Sequence, residues 1–150
     1  MTITEFLKSI GFKSHGSVVN SWDAFAPSGT VLMQLWSEAG QRVREHANAG
    51  AYLRVRCFHA EGFAETGAAR AVGYSGRRRA IDAVARGALG YVVLSAPPAG
   101  LRGPGVWAKH ADLSRAYPVL EVEAADADGD IYVILGQPVP VATIDERRAA

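Results

Sequence analysis

The chain has 150 residues, of which 49% are hydrophobic and 21% are charged, a composition typical of a globular protein. This length suits one hydrophobic core, so we expect a single domain spanning residues 1–150 with a flexible tail at about residues 145–150. Cys57 is the only cysteine, which excludes an intrachain disulfide and favours a reducing compartment. The sequence has neither a secretory leader nor the roughly 18 consecutive apolar residues of a membrane span, so it predicts a cytoplasmic protein that does not enter a membrane.

The charges are distributed unevenly along the chain, although the net charge is only +1. Residues 51–115 carry ten basic side chains against four acidic ones, whereas residues 116–150 carry two against seven. A basic segment of this kind indicates an anionic partner. The alternative is that the basic and acidic segments neutralise each other across the fold, and the sequence leaves both interpretations open.

The first third of the chain predicts two short helices separated by a loop and a strand. A helix with one apolar face is expected to end at Gly11. Residues 12–27 lack periodicity and predict a surface loop, whereas the apolar run at residues 30–36 predicts a strand. A second short helix is predicted after Ser37.

Residues 51–60 predict a strand with two chemically different faces. Alternation places Leu53, Val55 and Cys57 on one face. The other face carries two arginines between two aromatic residues, namely Tyr52, Arg54, Arg56 and Phe58. Such a face can bind phosphates and stack on bases, as sheet surfaces do with single-stranded nucleic acids. The alternative is a face that a helix half covers, with the arginine stems lying on apolar neighbours.

The clearest local pattern lies at residues 73–96, where a polar turn precedes an amphipathic helix and a buried strand. The helix is predicted to end at Gly87 or Gly90, and residues 91–94 predict the strand that follows. A further strand is expected just before this pattern, at residues 69–74.

The polar turn predicts an anion-binding site. Gly73, Ser75 and Gly76 would leave backbone N–H groups exposed at the start of the helix. The first helical turn carries three consecutive basic side chains, Arg77, Arg78 and Arg79. Because the helix dipole disfavours positive charge at that end, a nearby phosphate or carboxylate would explain them. The alternative is a solvated, basic helix end.

A loop rich in proline and glycine follows at residues 96–107. Its Arg102 is a candidate for phosphate binding, and its Trp107 is a candidate for stacking on a base. Long loops of this composition also serve purely structural roles.

The last third predicts an antiparallel hairpin, with strands at residues 118–123 and 131–135 around a turn at Asp128–Gly129. Strands therefore outnumber helices over the whole chain. We expect an α+β fold, with a mixed, largely antiparallel sheet or partly closed barrel and two or three helices.

No pattern in the sequence predicts a metal, a cofactor or a catalytic centre. The acidic run at residues 126–130 lacks glycine and a final acid at the positions where a calcium-binding EF-hand loop needs them. Cys57 and His59 supply too few ligands for structural zinc. A nucleophilic Cys57 would need His110 and Asp112 beside it, and we expect instead a buried thiol and an Asp112 that caps a helix.

Three hypotheses for the function follow. The first is a nucleic-acid-binding module in which arginines neutralise phosphates and aromatic rings stack on bases. The second is a protein-interaction module whose basic middle meets an acidic partner or the acidic end of another copy, which would form a homo-oligomer. The third is a small enzyme acting on an anionic substrate at the Gly73–Gly76 turn, with His59 or His110 as the base. The sequence favours binding over catalysis, because spacing assembles no acid–base pair or nucleophile.

Overall fold

A computed structural model of the chain describes residues 3–14, 23–37, 41–43, 52–59, 68–98, 101, 107 and 109–145. Its helices are α1 (Ile3–Ser9), α2 (Ala68–Ala85) and a 3₁₀ helix (Val141–Ile144). Its strands are β1 (Lys13–Ser14), β2 (Asp23–Phe25), β3 (Val31–Trp36), β4 (Gln41–Val43), β5 (Tyr52–Phe58), β6 (Gly90–Ser95), β7 (Arg115–Val122), β8 (Ile131–Leu135) and β9 (Val139–Pro140). The structure confirms the predicted first helix and five predicted strands, namely β3, β5, β6, β7 and β8. Two predictions were wrong: β2 lies inside the predicted loop, and β4 stands where a helix was predicted.

The nine strands of the described residues form one mixed sheet, with the order β1-β2-β3-β6-β7-β8-β5-β4 and with β9 on β7. Strands β3 and β6 pair in parallel, and the other described pairs are antiparallel. The sheet dominates the fold, and the helices α1 and α2 cover less of the chain than its strands do. The expected α+β class with a largely antiparallel sheet is therefore confirmed.

The sheet curls into a half-barrel around a core that α2 covers. Val31, Met33 and Leu35 of β3 share this core with Val55 and Cys57 of β5, although the two strands are not neighbours in the sheet. Ala80 and Ile81 place one face of α2 against the same cluster. The curl thus brings α2 and the end of β5 together.

A second core fills the opposite face of the sheet. Because successive side chains of a strand point to opposite faces, Leu32 and Val93 leave the first core and pack with Phe6 and Leu7 of α1. Gly11 follows α1 with a positive φ of 78°, which allows the chain to turn into β1. Helices α1 and α2 therefore lie on opposite sides of the sheet.

Helix α2 begins earlier than the sequence predicts, and this corrects two interpretations. Residues 69–74 are helical and not a strand, and Gly73, Ser75 and Gly76 lie within the helix and do not form a turn before it. Each glycine inside a helix costs roughly 1 kcal/mol relative to alanine. Gly76 is buried, which shows that α2 packs closely at this position and that tertiary contacts override the local propensity.

The end of α2 is as predicted. Gly87 has a φ of 108°, and its N–H donates to the Val84 carbonyl while the Ala88 N–H donates to the Ala83 carbonyl. This pair of bonds is the Schellman motif, which closes a helix with a glycine in a left-handed conformation. The chain then enters β6 at Gly90, where an added Cβ would lie 2.7 Å from Cγ2 of Val84.

Strand β7 joins the two halves of the curled sheet. It pairs with β6 at Tyr117 and Pro118 and with β8 from Val119 to Val122, with an irregularity at Leu120. The predicted hairpin between β7 and β8 is confirmed. Its turn is closed by Asp126, whose carboxylate accepts hydrogen bonds from the backbone N–H groups of Asp128 and Asp130.

Candidate functional site

The outer face of β5 carries the predicted arginines, but each is bound to an acidic residue of the last third of the chain. Nε of Arg54 donates to Oε1 of Glu123 at 2.6 Å, and the Arg54 guanidinium carbon lies 3.7 Å from the centroid of the Tyr132 ring. Nη1 of Arg56 lies 3.6 Å from Oδ2 of Asp130. These two ion pairs join the basic segment to the acidic one, as the alternative explanation of the uneven charge expects.

Tyr52 and Phe58, the predicted stacking residues of β5, differ in accessibility. Tyr52 is 6% exposed, so its ring offers no open face in this conformation. Phe58 is half-buried, because the register of β5 against β8 shifts between Arg56 and Phe58 and the ring packs partly against the first core. Of these two rings, Phe58 is the one that reaches the surface.

Arg77 is an internal residue. Its Nε donates to both carboxylate oxygens of Asp23, at 2.9 and 3.0 Å. Its Nη1 and Nη2 donate to the backbone carbonyls of Cys57 and Gln34, at 2.7 and 2.8 Å. A buried arginine with its donors directed at four internal oxygens ties α2 to β2, β3 and β5. The predicted phosphate contact at Arg77 therefore has no support in this arrangement.

Arg78 and Arg79 occupy the exposed side of α2 directly after Arg77. The Arg78 guanidinium carbon lies 5.4 Å from the centroid of the Phe58 ring, within the range of a cation–π contact. Nη2 of Arg78 also lies 4.0 Å from Oδ1 of Asp82, one helical turn further on. We call Phe58, Arg78 and Arg79 the α2–β5 surface.

The predicted anion site at the start of the helix is not formed. Gly73, Ser75 and Gly76 lie more than one turn inside α2, where their N–H groups belong to the helix and not to an open turn. Arg77, Arg78 and Arg79 accordingly lie in the middle of α2, away from its positive dipole end. Their placement no longer needs an anion to explain it.

The predicted loop residues divide between the core and the part of the chain outside the described residues. Trp107 is 6% exposed and packs in the second core. Its Nε1 donates to the Leu35 carbonyl at 3.2 Å, and its own carbonyl accepts a hydrogen bond from the Ser95 hydroxyl. A base cannot stack on a ring held in this way. Arg102 lies outside the described residues.

Two of the candidate catalytic residues, Cys57 and Asp112, have structural roles. Burial raises the pKa of the Cys57 thiol to about 12, although the nearby Arg77 acts in the opposite direction. The thiol donates to the Ile131 carbonyl and is protonated at neutral pH. Asp112 accepts hydrogen bonds from the Ser114 hydroxyl and N–H, which hold its pKa below the ordinary value of 3.8. It thus caps the turn before β7, where the sequence predicted a helix.

Sequence reasoning did not identify Tyr132, Glu123 and Asp130, the partners of the β5 arginines. Their signal was the charge difference between the middle and the end of the chain, which requires the pairing of β5 with β8 to become specific. Among the described residues, no cluster of three or more His, Cys, Asp or Glu side chains could hold a metal ion. Neither described α-helix has the length and apolarity needed to cross a membrane. No family model matches the chain, and no curated protein or solved structure is significantly similar to it.

Proposed function

We propose that this protein is a nucleic-acid-binding module that uses the α2–β5 surface. The observation that carries the proposal is the position of Arg78, whose guanidinium carbon lies 5.4 Å from the Phe58 ring while Arg79 is exposed beside it. Cations that contact phosphates and a ring that can meet a base therefore share one surface. This surface is smaller than the one the sequence predicts.

A phosphate can compete for the Arg78 guanidinium at low cost. Arg78 and Asp82 are both solvent-accessible and separated by 4.0 Å, and exposed pairs of this kind contribute roughly 0–1 kcal/mol. A phosphate oxygen can replace such partners, because a charge-assisted hydrogen bond from arginine is stronger than a loose ion pair. Arg54, in contrast, is held by a short bond and a stacked ring.

Two phosphate contacts, from Arg78 and Arg79, imply weak binding with a modest dependence on salt. Each contact contributes roughly 0.7 to 0.9 to the slope of log affinity against log salt concentration. We therefore expect a slope of about 1.5 and a preference for single strands, whose unpaired bases can reach Phe58.

Fluorescence anisotropy with labelled single- and double-stranded DNA and RNA, titrated across salt concentrations, tests the proposal. The double variant Arg78→Ala/Arg79→Ala should weaken binding and lower the slope by about 1.5, because two contacts are lost. The matched control is Lys8→Ala/Lys13→Ala, which removes the same charge from exposed positions in α1 and β1. Equal losses in both variants would show nonspecific attraction to a cationic protein, and no binding at low salt would rule the proposal out.

A protein-interaction module remains the second candidate because the same molecule exposes acidic residues. Asp126 and Asp128 lie exposed in the β7–β8 hairpin and could meet the α2–β5 surface of another copy. Sedimentation velocity at increasing protein concentration should then show assembly that disappears at high salt and in the Arg78→Ala/Arg79→Ala variant. Assembly of this kind without any affinity for oligonucleotides would favour this candidate over the first.

A further inference from the structure

An open groove with a lining of mixed polarity lies where β6 and β7 separate, beside the end of α2. The two strands pair at Tyr91–Pro118 and Val92–Tyr117, and beyond Pro118 strand β7 leaves β6 to pair with β8. The space between them is a groove of about 280 Å³. Its apolar lining comes from the end of α2 and the following turn on one side and from β7 on the other, with Val84, Ala88, Leu89, Tyr91, Pro118 and Leu120 as its members.

Two leucines stand exposed on opposite walls of this groove. Leu89 is 65% exposed, because it follows the left-handed turn at Gly87 and lies beyond the last turn of α2. Leu120 is 41% exposed, at the irregularity in the β7–β8 register. Its side chain rests over Gly136, where an added Cβ would lie 3.2 Å from the nearest Leu120 methyl group. Exposed apolar side chains that lie close together indicate an interaction site, whereas single exposed apolar side chains are common on any protein surface.

The wall formed by β7 is also the edge of a strand. Strands β8 and β9 pair along one side of β7, and β6 pairs on the other side at Tyr117 and Pro118. Beyond Pro118, no described strand pairs with β7 on the groove side. A strand edge that borders a groove lined partly by apolar side chains is the arrangement that binds extended peptides, which gain backbone hydrogen bonds from the edge and specificity from alternate side chains.

The charge of the surroundings indicates what kind of segment would fit. Exposed acidic residues follow the groove along β7 and through the hairpin, namely Glu121, Asp126 and Asp128. Pairing with the β7 edge of a second copy would bring two sets of these residues close together, and like charges across paired strands are destabilising. A small molecule fits poorly, because the groove is open and lies below the roughly 300–1,000 Å³ of most ligand pockets.

We propose that this groove docks an extended segment of a partner protein, which adds as a strand to the edge of β7. Apolar side chains at alternate positions of that segment pack between Leu89 and Leu120, and a basic side chain at its end meets the acidic run that begins at Glu121. The proposal is independent of nucleic-acid binding, since the groove shares no lining residue with the α2–β5 surface.

The test uses fluorescein-labelled heptapeptides and the full chain. The peptide KTLTVTK presents two apolar side chains at alternate positions with basic ends, and ETLTVTE is its acidic counterpart. We expect saturable binding of the basic peptide by fluorescence anisotropy, about fivefold tighter than that of the acidic one at low salt, as one exposed ion pair allows. The peptide KPLPVPK should bind more weakly, because its alternate prolines remove the backbone donors along one edge of the strand and fix φ near −65°.

The matched variants separate the groove from general surface effects. Leu89→Gln/Leu120→Gln should weaken binding of KTLTVTK about tenfold, which corresponds to losing the burial of part of two leucines. Leu101→Gln is the control, because Leu101 is also exposed, at 49%, but does not line the groove. Single Leu89→Gln keeps the test valid if the change at Leu120 impairs folding.

The proposal would be overturned if KTLTVTK showed no saturable binding at millimolar concentration. It would also be overturned if the double variant bound KTLTVTK as tightly as the parent, or if ETLTVTE bound more tightly than KTLTVTK. Self-association that the double variant abolishes would assign the groove to a second copy and would also overturn it. Oligonucleotide binding, measured on the same double variant, should be unchanged, so failure of this proposal is distinguishable from failure of the proposed function.

Discussion

The buried contact between Arg77 and Asp23 is expected to be a main determinant of stability. Replacing Arg77 with methionine keeps an unbranched side chain but leaves the Asp23 carboxylate, which is 1% exposed, without its bidentate partner. The carbonyls of Cys57 and Gln34 lose their Arg77 donors at the same time. Removing one partner of a buried ion pair costs about 3–5 kcal/mol, because the remaining charge stays desolvated.

That loss is a large fraction of the roughly 5–15 kcal/mol that stabilises a domain. For a chain of this size, 1 kcal/mol corresponds to about 2–4 °C in the melting temperature, so Arg77→Met should melt about 6–20 °C below the parent. Urea denaturation followed by circular dichroism gives the free energy directly. Arg78→Met is the control, because it changes the neighbouring exposed arginine, and its effect should stay within about 0.5 kcal/mol.

A double variant decides whether the charge or the packing matters. Asp23→Leu/Arg77→Met removes both charges, so it should be less destabilised than Arg77→Met alone, since no unpaired buried ion remains. The reasoning would be refuted if Arg77→Met lost less than about 1 kcal/mol, or if the double variant were as unstable as the two single variants summed.

Three further predictions concern the thiol and two glycines. The Cys57 thiol should resist alkylation in the folded protein at pH 8 and react after unfolding. Rapid labelling of the native protein would contradict this. The pKa of the thiol is about 12 in the folded protein and 9.0 ordinarily, so the free energy of unfolding should fall as the pH rises from 9 to 12. Cys57→Ala should lack this pH-dependent loss. Gly87→Ala should lower the free energy of unfolding by about 1–2 kcal/mol, because φ at this position is 108° and the space around it is open, so the cost comes from the backbone alone. An unchanged midpoint in urea denaturation would count against backbone strain. Gly90→Ala should lower the free energy of unfolding by about 1–3 kcal/mol, because the added methyl group overpacks against Val84. Adding Val84→Ala to this variant should restore part of the lost stability. If it restores none, the strain does not arise at Val84.

Local patterns predicted the elements whose two sides differ in polarity. Alternation held in β5 over residues 53–57, and Gly87 ended α2 as predicted, because strand pleating and left-handed helix ends depend on neighbouring residues. The alternation failed at Phe58, where the register against β8 shifts and the ring packs against the first core. The start of α2 was wrong because Gly73 and Gly76 favour a turn locally, whereas the packing that keeps Gly76 buried in a helix involves distant strands.

The candidate site was predictable in composition but not in detail. The sequence identified the arginines of β5 and α2, yet their roles depend on which residues the fold places beside them. Three consecutive arginines therefore separate: Arg77 points to Asp23 in the interior, and the next two are exposed. A helical period of 3.6 residues makes such a division inevitable, but only the position of the sheet determines which member turns inward.

Helix α2 positions both proposed surfaces, so their tests must leave the helix intact. Arg77 fixes the middle of α2 to β2, β3 and β5, which sets Arg78 over Phe58. The close approach of Val84 to Gly90 fixes the end of the same helix against β6, which sets one wall of the groove. A variant of Arg77 would therefore disturb both surfaces at once and could not separate them. Variants of Arg78 and Arg79 on one side, and of Leu89 on the other, change exposed side chains that make none of these anchoring contacts. The arginine variants should therefore weaken oligonucleotide binding and preserve peptide binding, and the leucine variants should do the reverse.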